Sequence, residues 1–296
     1  MRTAYEQIVN ISQIGKRVPF DKDVIFALAE AEHLSLLKDD SVKRLFLGID
    51  MQNDFAIGGS MAVEGSAGDV ERATRFIYNN IRYISGVMLT MDWHSKEQIF
   101  HKCWWEDSRG NEPAPYTVIA YNDVITGKWR TVVGDMKKTL KTLKGLEEAG
   151  NKNLCVWPYH CIGDTVGAEL ENEFAKMVYF YSAVRMRDPI IIKKGMDPYS
   201  EMYGFIKPEF SETNYVNVEA LDKLEEYDEI YVAGWALNYC VGDSVRQIID
   251  ERPHLAERII VLEDCTSAIG SGEEMTNKLK KRGIRFSKST DIKFEA

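Results

Sequence analysis

Six short apolar runs, separated by stretches with helical spacing, constrain the fold of this chain more than any other feature. They are RLFLGID (44–50), ISGVMLTMD (84–92), DPIIIKK (188–194), DEIYVAG (228–234), ERIIVLED (257–264) and GIRFSKS (283–289). Runs of this length suit strands buried on both faces. The intervening amphipathic stretches fall at 69–82, about 135–148, about 166–181, 217–226, 240–251 and 273–282. Strands that alternate with helices build βαβ units. The expected fold is therefore α/β, a three-layer αβα sandwich around a mainly parallel, doubly wound six-stranded sheet.

Two segments stand outside this alternation. DKDVIFALAEAEHLSLLKDD (21–40) has a helical pattern with Val24, Leu28, His33 and Leu36 on one face, so residues 1–43 read as a helical extension that packs on a main domain of residues 44–296. The connection at about 101–154 mixes aromatic, charged, Pro and Gly residues. It is far longer than the usual connection of about 4 to 6 residues, and reads as an insertion serving as a lid or an oligomer contact.

Composition removes several functional classes. A formal net charge of −9 argues against a nucleic-acid partner and fits a small neutral or cationic substrate. The N-terminus lacks the apolar core of a signal peptide and no run of eighteen apolar residues occurs, so a cytoplasmic protein with no membrane partner is expected. Five cysteines without CxxC spacing indicate neither a disulfide framework nor a zinc knuckle.

In an open parallel sheet, ligands bind beyond the carboxyl ends of the strands. There the first run delivers Asp50, the second Asp92 followed by His94, the third Lys194, and the fourth a turn leading to Cys240. Singly, each has an ordinary explanation as a turn residue, an edge charge or a buried thiol. Together, an Asp, a Lys and a Cys at one rim form a nucleophile, an acid/base and an electrostatic partner. Asp92 and His94 stand at i and i+2, on one side of an extended backbone, and WPYHC adds His160. One carboxylate and two imidazoles suit Zn²⁺, Mn²⁺ or Fe²⁺ with open positions. His101 is a further candidate ligand that the reading disfavours.

The segments GIDMQNDFAIGGSMAVEG (48–65), TMDWH (90–94), WPYHCIGDTVGAEL (157–170), KKGMDPYSEMYGF (193–205) and VAGWALNYCVGDSV (232–245) resemble, in order, the signatures of nicotinamidases within the isochorismatase-like cysteine hydrolases. The resemblance implies the isochorismatase-like fold and hydrolysis of nicotinamide to nicotinate and ammonia. It gives Asp50 the place of the catalytic aspartate, Lys194 that of the lysine and Cys240 that of the nucleophile. One divalent metal per subunit, zinc foremost, would be held by Asp92, His94 and His160. Phe55, Trp157 and Tyr203 would flank the substrate ring. A cis peptide at Trp235–Ala236 and an oxyanion hole from the amides of Ala236 and Cys240 are also implied, as are NAD salvage and a homo-oligomer. Gln98 stands where many nicotinamidases carry another histidine. The helix N-terminus and Lys194 lead one to expect a lowered Cys240 pKa.

Three other readings compete with this one. The same triad could act on another amide or carbamoyl compound, the fold could serve as a silent binding module, or a metal-bound hydroxide could make Cys240 incidental.

Overall fold

The computed structural model describes residues 1–32 and 41–294. Its main sheet has six strands: β1 (Arg44–Ile49), β2 (Gly86–Asp92), β3 (Ile190–Lys194), β4 (Glu229–Trp235), β5 (Ile259–Ser267) and β6 (Arg285–Ser287). All are parallel, in the order β6-β5-β4-β1-β2-β3. This is the doubly wound arrangement expected from the alternation, and it reverses direction between β1 and β4. The principal helices are α1 (Lys22–Glu30), α2 (Ser66–Asn79), α3 (Met136–Glu148), α4 (Asn172–Arg185), α5 (Val218–Glu225), α6 (Gly242–Glu251) and α7 (Glu273–Lys281).

Period-two alternation along the strands divides the interior into two cores. Phe46, Leu89, Tyr231 and Leu262 face α2 and α4, where Val70, Phe76, Phe174 and Met177 meet them. Leu45, Leu47, Ile230, Val232 and Val261 face the other way, against Leu221 and Leu224 of α5, Val245 and Ile248 of α6, and Leu279 of α7. These are the two outer layers of the sandwich.

Three details differ from the sequence reading. The helix expected at about 166–181 is α4 and begins at Asn172, capped by the Glu171 carboxylate, because 166–168 form a separate 3-10 turn. β3 is an edge strand, so Ile191 is exposed instead of buried on both faces. In α1 the buried residues are Ile25 and Ala29, with Leu28 packed beside them, while Val24 faces solvent. His33 and Leu36 lie outside the described residues. Tyr5, Ile8, Val9, Ile25 and Ala29 belong to the same core as α2 and α4.

The long connection after β2 has a core of its own. Trp104, Trp105, Ile119, Leu143, Leu146 and Leu154 pack together and onto Trp157 and Tyr203. Two short antiparallel pairs, Trp105–Glu106 with Arg130–Thr131 and Val118–Ile119 with Leu154–Cys155, close it. Among the described residues, no helix is long and apolar enough to cross a membrane.

At the sheet's switch point, Ile49 of β1 pairs with Gly234 of β4. Gly234 has φ of 120°, and a Cβ there would strike the Ile49 backbone. Gly234→Ala is expected to lower the urea midpoint by the equivalent of about 2 to 4 kcal/mol, since an alanine cannot take this φ or this separation without moving β1. A midpoint within error of the parent would show that the junction tolerates displacement.

Candidate active site

Parallel register brings the strand ends to one rim. Asp50 follows β1, Asp92 ends β2 and is paired with Lys194 at the end of β3, and Cys240 lies in the turn after β4. The Lys194 side chain is completely buried, with Nζ 2.9 Å from Asp50 Oδ2 and 2.6 Å from Asp92 Oδ1. It also lies 3.7 Å from Cys240 Sγ and donates to the Met202 carbonyl at 3.2 Å. Asp50, Asp92 and Cys240 each bring an acidic atom within 4.8 Å of the others. Three such groups could hold a metal, but the Lys194 ammonium already serves as their shared cation.

Asp50 is aimed by its backbone and by a neighbour. It adopts φ of 49°, which a non-glycine residue rarely takes, and Thr90 Oγ1 donates to its Oδ1 at 2.6 Å. Thr90 stands two residues before Asp92, on the same side of β2, so one strand supports both carboxylates. Gln52 ties the ends of β1 and β2 together. Its amide donates to the carbonyls of Asp92 at 2.8 Å and Ala168 at 2.7 Å, and its Oε1 accepts from Asp92 N at 2.8 Å. Asn53 donates to Val166 O at 2.8 Å, and Asp54 Oδ2 accepts from Cys161 N at 2.8 Å, which anchors the loop that carries His160.

The second group shares Asp92. Its Oδ2 lies 3.5 Å from His94 Nε2, and Asp92, His94 and His160 present ligand atoms within 4.8 Å of one another. His94 Nδ1 donates to Gly195 O at 2.9 Å and His160 Nδ1 to Pro158 O at 2.7 Å. A carbonyl can only accept, so both rings carry a proton on Nδ1, and each in its neutral form has the Nε2 lone pair for a ligand. Two such imidazoles and a carboxylate fit a divalent metal with open positions. His101 stands beside this group without joining it. Its ring centre is 6.3 Å from that of His94 and 5.9 Å from that of His160, and its Nδ1 donates to Lys96 O. Gln98 donates its amide N–H groups to the carbonyls of Gly195 and Asp197.

Charge in the site follows from burial and neighbours. Burial raises the Asp50 carboxyl above its usual range, against the pull of Lys194. Burial acts on Asp92 as well, but Lys194, His94 and His160 outweigh it and leave the group well below the carboxylate range. Lys194 is held well above its ordinary value, because Asp50, Asp92 and Cys240 outweigh its burial. Burial and the adjacent His94 push His160 down to about 3. For Cys240 the outcome is the reverse of the sequence expectation. Burial raises the thiol well above its ordinary range, and Asp50 and Asp92 add to that, so the pull of Lys194 does not prevail.

The turn that carries Cys240 also differs in detail. Within Leu237–Val241 the backbone kinks at Tyr239, with φ of −130° and ψ of −109°, and α6 starts only at Gly242. Tyr239 and Val241 both donate backbone N–H groups to the Ala236 carbonyl, and the Trp235–Ala236 peptide is cis. The Trp235 indole is held by Asp69 Oδ2 at 2.9 Å.

A small cavity opens onto Cys240. Its walls include Phe55, Trp157 and Tyr203, the three aromatics expected to flank a substrate, together with Asp92 and His160. Among the wall residues that the sequence had not singled out is Glu201, which accepts from Trp157 Nε1 at 3.0 Å and whose carboxyl burial raises to about 7; Tyr239, just before Cys240, lines the cavity as well. Thr90, Gln52 and Asp69 were missed as well. Gln52 lies inside the DMQNDF signature, whereas nothing in the sequence marks Thr90, Glu201 or Asp69.

No family model matches the chain. The Saccharomyces cerevisiae nicotinamidase is 24% identical over 235 residues, which cover 78% of this chain and 91% of that protein. Among solved structures, the yeast nicotinamidase bound to the inhibitor nicotinaldehyde superposes with a TM-score of 0.59 at 20% identity, covering 83% of this chain and 99% of its own. The Pyrococcus horikoshii pyrazinamidase in complex with zinc gives 0.50 at 20% identity, with the same coverage of 83% and 99%. The fold is that of the isochorismatase-like hydrolases. In sequence and in fold the chain is similar to nicotinamidases.

The raised thiol has a measurable consequence. Site-resolved alkylation of Cys240 by iodoacetamide is expected to be slow at neutral pH and still rising at pH 9.0, the ordinary thiol value, because only the thiolate reacts. A plateau reached below about pH 7 would mean that Lys194 and the helix terminus set the thiol state after all.

Proposed function

We propose that the chain is a nicotinamidase that hydrolyses nicotinamide to nicotinate and ammonia through a thioester on Cys240. The observation that carries this reading is the buried Lys194 ammonium, which joins Asp50 and Cys240 on one side to Asp92 on the other. The thiol thus shares one cavity with an aromatic wall and with Asp92 and His160 of the candidate metal group, and Lys194 ties it to Asp50. That combination favours a pyridine carboxamide over an open-chain carbamoyl compound, which has no ring nitrogen to hold.

At rest the thiol is protonated, so attack requires Cys240 to pass its proton to Asp50 as sulfur bonds to the carboxamide carbon. A carboxyl raised by burial is a stronger base for this step than a solvated one, and a weaker acid than an ordinary Asp afterwards. Lys194 offsets the charge on sulfur as it develops. The amides of Ala236 and Cys240 would hold the oxyanion, an effect on the order of 3 kcal/mol per donor in comparable hydrolases. When the C–N bond breaks, Asp50 returns the proton to the departing ammonia. It then takes a proton from water as the hydroxyl attacks the thioester, and sulfur leaves to recover that proton.

Asp92, His94 and His160 would hold a divalent metal, and zinc suits this donor set. When bound, the metal would supply a Lewis acid that fixes the pyridine nitrogen. Phe55, Trp157 and Tyr203 would set the plane of the ring, and such orientation can contribute several kcal/mol. Residues 101–154 are proposed as an insertion in the hydrolase domain, residues 1–43 as its N-terminal extension, and a cytoplasmic, oligomeric enzyme in NAD salvage as its setting.

Two measurements test the reading. Cys240→Ala is expected to release no ammonia from nicotinamide above background, and Asp50→Asn to lower kcat by at least about 100-fold; near wild-type turnover in C240A would exclude a thioester route. Metal content by elemental analysis is expected to be near one divalent ion per chain and to fall sharply in His160→Ala, with a rise in KM. Equal metal content in both proteins would exclude His160 as a ligand.

A further inference from the structure

The cavity at Cys240 has a volume of about 30 Å³, room for one or two waters. A buried benzene occupies a cavity on the order of 150 Å³, so a ring reaches the thiol only if part of the wall moves. The movable part is identified by what lies behind it. Tyr239 lines both this cavity and an outer groove of about 720 Å³, and so stands between them. Tyr203 and Trp157 support the Tyr239 ring, with centres 5.3 Å and 5.7 Å away.

Lys152, from the long connection after β2, covers this partition on the groove side. Its Nζ lies 4.9 Å from the ring centre of Tyr203 and 4.9 Å from that of Tyr239. The same ammonium is 2.6 Å from Asp243 Oδ2, a carboxylate on the first turn of α6 with 4% of its side chain exposed. The Lys152 side chain itself is 40% exposed. One cation thus links the inserted segment, the two tyrosines and the helix that follows the nucleophile. A cation over two aromatic faces contributes attraction beyond that of the ion pair.

We infer that Lys152 is a positioning residue: it holds Tyr239 and Tyr203 as the removable wall between groove and cavity, and so determines which amides reach Cys240. The inference builds on the proposed amide hydrolysis, but the partition can be measured without a substrate. Small ring carboxamides pass when the tyrosines part briefly; bulkier ones need the latch released. The ligand class admitted is a flat, uncharged monocyclic carboxamide.

The test is site-resolved alkylation of Cys240 by a small reagent, iodoacetamide, and by a bulky N-aryl maleimide, with Cys103 as internal reference. Lys152→Met keeps the length of the stem and removes the charge. It is expected to raise the maleimide rate at Cys240 at least tenfold, while the iodoacetamide rate stays within twofold, and to raise KM for nicotinamide more than it changes kcat. Lys152→Arg is expected to restore the parent ratio. Lys152→Gln repeats the comparison with a polar side chain at this partly exposed position. An unchanged ratio of the two rates in folded Lys152→Met or Lys152→Gln, with folding verified by the thermal midpoint, overturns the inference. If the ratio changes but the parent does not hydrolyse nicotinamide, the proposed function fails and the latch stands; if the parent hydrolyses it and the ratio is unchanged, the latch fails alone.

Discussion

The site depends on one buried cation. Burying the Lys194 ammonium away from water carries a penalty of several kcal/mol unless its charge is matched. Here Asp50 and Asp92 lie within 2.9 Å and 2.6 Å, and a carbonyl takes a further donor direction. Because Lys194 ends β3, Asp92 ends β2 and Asp50 follows β1, the parallel register of three strands is fixed where the ammonium sits. Removing any one partner would leave an uncompensated charge in the interior, a loss on the order of 3 to 5 kcal/mol.

Asp92 joins two groups of residues that would otherwise be separate. One oxygen takes the Lys194 ammonium and the other faces His94. The carboxylate next to the thiol is therefore the same one that completes the candidate metal group, and one side chain sets the distance between the two groups. Gln52 fixes that side chain's backbone from both the donor and the acceptor side, and Asp54 steadies the loop bearing His160. The DMQNDF signature thus combines site and scaffold: Asp50 lies beside the thiol and Phe55 lines the cavity, while Gln52, Asn53 and Asp54 hold the surrounding strands and loops.

Much of this was legible in the sequence because it rests on local pattern. Apolar runs marked all six strands, and helical spacing marked α2, α3, α5, α6 and α7 to within a few residues. The rim residues could be grouped because a parallel sheet delivers every strand end to the same edge. What escaped depends on burial and on contacts distant in sequence. The raised Cys240 thiol reflects complete burial beside two carboxylates, which spacing along the chain does not disclose. Thr90 is an ordinary strand residue until Asp50 is placed beside it, and Glu201 joins the cavity wall through a hydrogen bond spanning 44 residues. The connection after β2 read as an insertion containing one helix, but its core, formed from Trp104, Trp105, Ile119 and Leu143, has no single period to read.

The central claim is that Lys194 and Asp92 hold the thiol and the ring-binding group in one fixed relation. It is tested most directly by the anomalous-scattering crystal structure of the Cys240→Ala protein, loaded with zinc and soaked with nicotinamide. The account predicts one zinc bounded by Asp92, His94 and His160, the pyridine nitrogen turned toward it, and the carboxamide carbon about 3 to 3.5 Å from where the Cys240 sulfur would lie. Zinc bound elsewhere, or a ring turned with its carboxamide away from residue 240, would contradict it.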